Sequence, residues 1–138
     1  KYSQKIEIPY PLKLYDISLA LHKFGGQKGF LWLTVMKDEH NKPGKKIAKS
    51  NMIHISRIAF FNGYQWIPFS FTDDILLPGS YWINLEYSGD AIFNWFYLLG
   101  NPYEGPDDTR SCSREKNTWD TLQNYDFNFR VRGYELRR

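Results

Sequence analysis

The chain has 138 residues, one cysteine and a formal net charge of +3. This is the length of one domain, enough to bury roughly 68–70% of the unfolded surface in a single core without a disulfide framework or a structural zinc. The small charge, spread over interspersed acids and bases, argues against a nucleic-acid partner, and no run of 18 apolar residues is present to insert into a membrane.

The dominant hydrophobic period is two, the signature of half-buried strands, and aromatic residues reach 18%, which suits pleated surfaces. Residues 15–23 alternate, with Tyr15, Ile17, Leu19 and Leu21 on one face and Asp16, Ser18, Ala20 and His22 on the other. Gly25, Gly26 and Gly29 break the run. Residues 30–37 place Leu31, Leu33 and Val35 inward, and Phe30, Trp32, Thr34 and Met36 outward. Residues 38–44 read as a turn closed by Pro43–Gly44, and the lysines between 42 and 49 as loop-like. A short strand is expected within 51–58, followed by an Asn62–Gly63 turn. Residues 66–71 direct Ile67, Phe69 and Phe71 to one side, and Pro68 predicts a sheet edge because it cannot donate to a ladder. After the Leu77–Pro78–Gly79 turn, Tyr81, Ile83, Leu85 and Tyr87 oppose Trp82, Asn84 and Glu86. Residues 91–99 are apolar on both faces and predict a strand covered on both sides, with Trp95 in the core. Residues 101–119 read as a long polar loop pinned by Trp119. The last strand, 124–133, turns Phe127, Phe129 and Val131 inward and Asp126, Asn128, Arg130 and Arg132 outward.

About eight short strands with turn signals between them predict one all-β domain over 1–138, a two-sheet antiparallel β-sandwich of jelly-roll or Greek-key type. The chain starts at Lys1 rather than Met and shows no signal peptide, so a piece excised from a larger protein is expected.

A wider order of residues runs through the chain. It comprises Gln4, Leu19-x-Leu21, Gly25–Gly26, Gly29-x-Leu31-x-Leu33, Asn41-x-Pro43–Gly44 and Ser50. It continues with Trp66-x-x-Phe69-x-Phe71, Leu77–Pro78–Gly79-x-Tyr81–Trp82, Tyr103, Trp119 and Asp126–Phe127-x-Phe129-x-Val131. This order resembles the choice-of-anchor R type β-sandwich domains of exported surface proteins. One departure is Pro106 after Gly105, where the pattern expects a second glycine. The resemblance implies an extracellular, non-catalytic module; it implies no particular ligand and assigns no binding residue.

Catalytic signatures are sparse. His22, His40 and His54 lie in no nucleophile motif, no Gly-x-Ser-x-Gly occurs, and Cys112 has no histidine beside it. The pairs Asp73–Asp74 and Asp107–Asp108 read first as turn and cap residues. No organic cofactor is expected. The one metal the sequence could hold is a structural Ca²⁺ on loop oxygens, with Asp107 and Asp108 as ligands and Glu104 and Asp120 as further donors.

The outward positions are more informative. Alternation puts Trp32 and Trp82 on the non-core side, with His22, Asn84, Glu86, Asn128 and Arg130 in the same phase. If their strands share one sheet, they form an aromatic and polar surface. Flat rings there can stack on the apolar faces of sugars while polar side chains bond the hydroxyls. The expected function is therefore a non-catalytic carbohydrate-binding accessory module, with a polysaccharide or glycan as partner and other domains of the same polypeptide as further contacts. The alternative is a structural or adhesive domain whose rings contact another protein.

Overall fold

The computed structural model describes residues 2–26, 28–59, 63–90, 92–99, 109–112, 119–123 and 125–136. The strands are β1 (Tyr2–Ile8), β2 (Leu12–Gly25), β3 (Phe30–Glu39), β4 (Lys42–Lys49), β5 (Ile53–His54), β6 (Gln65–Ser70), β7 (Ile75–Leu76), β8 (Gly79–Tyr87), β9 (Ile92–Trp95), β10 (Tyr97–Leu99), β11 (Thr109–Cys112), β12 (Trp119–Gln123), β13 (Tyr125–Phe127) and β14 (Phe129–Glu135). Eight of them have five residues or more.

Every ladder is antiparallel. Sheet A runs β12-β11-β1-β8-β3-β4, with β5 also on β3; sheet B runs β14-β2-β6, with β7 and β9 also on β2. A small ladder joins β10 to β13. Successive strands pass repeatedly from one sheet to the other, so sequence neighbours are seldom sheet neighbours. This is a β-sandwich with Greek-key wiring.

The inward residues predicted by alternation fill the space between the sheets. Leu31, Leu33, Val35, Tyr81 and Ile83 of sheet A meet Ile17, Leu19, Leu21, Ile67 and Phe69 of sheet B. Trp95 joins them and stacks on Phe127, with ring centroids 4.1 Å apart. Phe129 and Val131 pack against this core from β14. Two polar residues are built into the interior. Gln4 accepts the Phe127 N–H at 2.8 Å and so ties β1 to β13. Lys23 donates to the carbonyls of Ile55 and Ile58, closing the 3-10 turn at Ile55–Arg57.

Several local expectations are corrected. Tyr15 does not share the inner face with Ile17; it is half exposed, and Leu14 is buried instead. The cause is a bulge: Arg132 pairs with Asp16 but Gly133 pairs with Leu14, which leaves Tyr15 as an extra residue. Gly133 permits this, since a Cβ there would stand 2.5 Å from the Lys13 carbonyl oxygen. Residues 38–44 are not an open turn, and the lysine-rich segment is not a loop. His40 and Asn41, at φ 53° and 62°, form a two-residue hairpin turn, and β4 follows at once. Pro43 is tolerated because β4 is a sheet edge; the lysines of this strand guard that edge. Within 101–119, Thr109–Cys112 forms β11 and pairs with β1. The apolar run 91–99 and the terminal run 124–133 each divide in two, at Phe96 and Asn128.

Two measurements test this core. Phe69→Ala removes a wholly buried ring and is expected to cost about 3–5 kcal/mol in urea unfolding. Lys23→Met removes the ammonium donor to the Ile55 and Ile58 carbonyls, of which Ile55 keeps the Ile58 N–H, and is expected to cost about 1–3 kcal/mol by the same assay.

Candidate functional site

The outward positions fall on two opposite surfaces. Trp32, Trp82, Asn84 and Glu86 stand on β3 and β8 of sheet A, whereas His22 and Arg130 stand on β2 and β14 of sheet B, with Asn128 between β13 and β14. The single aromatic and polar face expected from alternation is therefore not formed. Period two fixes in against out, but not which sheet a strand joins.

On sheet A, Trp82 is in the outward phase yet wholly buried, so its ring is no stacking platform. Its register neighbours are Lys5 and Met36, both long side chains. The Lys5 ammonium lies 6.0 Å from the ring centroid and bonds Asn41 at 2.9 Å, while the indole N–H donates to Asp38 at 2.8 Å. A registered row, Ser3–Asn84–Thr34, is buried beside it. Asn84 donates to Glu86 at 2.6 Å. Asn84 Oδ1 and Thr34 Oγ1 have no hydrogen-bond partner among the described residues. Trp32 is half-buried, with the Lys49 ammonium 5.3 Å above its ring.

The outer face of sheet B differs. One edge of β2 is shared: β14 pairs with residues 12–19 and β9 with residues 21–25. At the changeover, Phe96 N–H donates to Ala20 O at 3.0 Å and Asn128 N–H to Phe96 O at 2.9 Å. The carbonyl of Asn128 also takes the Trp95 indole N–H at 3.0 Å, so Asn128 acts here through its backbone. On the other edge, Trp66 pairs with Ala20 and Gln65 with Leu21.

Large side chains thus surround the small Ala20, which they bury completely. Tyr64 meets Trp66 edge to face at 6.1 Å and Phe96 at 5.2 Å. His22 lies 4.4 Å from Phe24 and 6.4 Å from Phe96. Its Nδ1–H is committed to the Gly63 carbonyl, which leaves Nε2 as the ring's acceptor nitrogen. The Arg130 guanidinium lies 3.8 Å from the Trp66 ring centroid. Tyr64 and Phe24 are 49% and 59% exposed, and Arg130 is exposed.

A second arginine sits on the same face. Arg132 forms a bidentate pair with the buried carboxylate of Asp16 and lies 5.3 Å over Tyr15. Hydrogen bonding to Asp16, together with its negative charge, holds Arg132 above the ordinary guanidinium range. This pair is closed. Arg130, two residues earlier, pairs with no carboxylate among the described residues.

Trp66, Tyr64, Phe24 and Phe96 belong to this face although alternation did not single them out for a site. The signal for Trp66 was available: it opposes Ile67 and Phe69 in phase. Phe96 was hidden in an evenly apolar run. Asp107, Asp108 and Glu104 lie outside the described residues. Among the described residues no helix is long and apolar enough to cross a membrane. No protein-family model, curated protein or solved structure matches the chain.

Two substitutions check the assignment of sheet A. Trp82→Ala is expected to destabilise the domain by about 3–5 kcal/mol, since a buried indole is lost. Thr34→Val removes an unpartnered buried hydroxyl at nearly constant shape and is expected to leave the melting temperature equal or higher.

Proposed function

We propose that the domain is a non-catalytic carbohydrate-binding module, and that polysaccharide docks on the outer face of sheet B. The observation that carries this reading is the ring cluster Tyr64–Trp66–Phe96–His22–Phe24 around buried Ala20, with Arg130 beside it. Its members are held by neighbouring strands of one sheet, so the surface is preformed and little ordering entropy is lost on binding.

The chemistry suits sugars. A pyranose has an apolar C–H face that stacks on a ring and a rim of hydroxyls that need hydrogen bonds. Exposed rings supply the first, and the Arg130 guanidinium and His22 Nε2 supply the second. A patch made for a protein partner would be expected to have an apolar centre and a polar rim; here polar groups are interleaved with the rings. The resemblance to choice-of-anchor R domains fits the same reading and adds an extracellular setting.

Affinity electrophoresis against a panel of soluble polysaccharides tests it. The domain is expected to be retarded by at least one glycan, and Trp66→Ala to weaken that binding by about 2 kcal/mol or more. Tyr64→Ala serves as a second variant, because its side chain is more exposed and its loss disturbs packing less. Retardation that survives both substitutions removes this face from consideration. No retardation on any glycan, with a folded protein, overturns the reading in favour of the adhesive alternative.

A further inference from the structure

Resting on the glycan reading, we propose that this face selects acidic polysaccharides, with Arg130 as the residue that recognises a sugar carboxylate. Two arginines stand on the same outer face, both over aromatic rings, and they differ in one respect. Arg132 is saturated by Asp16, which accepts from Nε at 2.9 Å and from Nη2. Arg130 meets only the π face of Trp66 among the described residues.

This geometry sets the guanidinium over the Trp66 ring and leaves its N–H groups without a hydrogen-bond partner among the described residues. A ring beneath a guanidinium satisfies the cation's flat face but none of its five donors, which lie in the plane. Those donors match a carboxylate in a bidentate fork. Stacking also restricts the side chain beforehand, so less rotamer entropy is lost when the fork forms. The surrounding charge agrees. The one acid on this face of β2, Asp16, is neutralised by Arg132. Among the described residues of the ring cluster, Arg130 carries a charge with no ion-pair partner.

A uronic acid residue meets these demands together. Its ring offers an apolar face to the exposed Tyr64, and its C6 carboxylate projects from the ring edge toward the guanidinium. A neutral hexose offers a hydroxymethyl at that position and can use at most one or two of the donors, without charge assistance.

The test uses matched pairs in which only the acid differs: polygalacturonate, alginate and hyaluronan, each against its carboxyl-reduced form. Binding to the full chain is measured by isothermal titration calorimetry at 150 mM salt, roughly the ionic strength at which exposed long-range attraction is damped. At least one acidic member is expected to bind about tenfold or more tightly than its reduced partner. Arg130→Gln is expected to abolish that preference, weakening the acidic member about tenfold more than its reduced partner. Arg130→Lys keeps the charge without the fork and is expected to recover only part of the difference. Far-UV circular dichroism and melting temperature confirm that the variants are folded. Equal affinity for both members of each pair, or a preference that persists in Arg130→Gln, overturns the selection of acids and leaves the glycan module standing. Binding to none of the six polymers overturns the selection of acids; the wider polysaccharide panel then decides on the glycan reading separately.

Discussion

The fold is organised by one shared strand. β2 is fourteen residues long and gives one edge to β6 and β7 and the other to β14 and β9 in succession. The second edge changes partner at Ala20, where Phe96 and Asn128 exchange backbone hydrogen bonds with it and with each other. Because backbone donors and acceptors in a buried sheet must be paired, this junction also explains why both the 91–99 and 124–133 segments break where they do. Phe96 and Asn128 are the points at which the chain leaves one ladder for another. The small Ala20 at this junction is wholly buried, and the rings of Trp66, Tyr64 and Phe96 meet one another beside it.

The two outer surfaces are consequences of different pairings. On sheet A, short polar residues stand in register across three strands, Ser3 with Asn84 and Asn84 with Thr34, and are buried along with Trp82. Among the residues whose side chains are described, that surface offers solvent the rings of the half-buried Trp32 and the more exposed Phe30. On sheet B, the half-buried rings of Trp66 and Phe96 flank Ala20, and the exposed rings of Tyr64 and Phe24 stand beside them. An aromatic that must stack on a ligand needs one free face, and sheet B provides such rings where sheet A covers its best one. The bulge at Tyr15 extends the sheet B surface, turning a residue of the inward phase outward to meet Arg132 and Tyr134.

Much of the core was legible in advance. Ile17, Leu19, Leu21, Leu31, Leu33, Val35, Ile67, Phe69 and Ile83 all face inward as their alternation requires, since a strand's side chains can only alternate between two sides. Pro68 marked an edge strand for the same kind of local reason. The lysine-rich 42–49 segment misled because its composition is that of a loop; its strand character comes from pairing with β3, and its lysines are what an unpaired edge tolerates. Trp82 misled differently. Its phase was right, but exposure depends on what lies across neighbouring strands, and Lys5 arrives there from 77 positions away in the chain.

Local pattern therefore gave the class of fold and most of the inward residues, because these depend on steric rules that act between adjacent residues. The site was decided by tertiary pairing. His22, Trp66, Phe96 and Arg130 are scattered over more than a hundred positions, and only the sharing of β2 by three other strands brings them around Ala20. No periodicity carries that information, because the choice of partner strand is set by the packing of the whole core and not by any one segment.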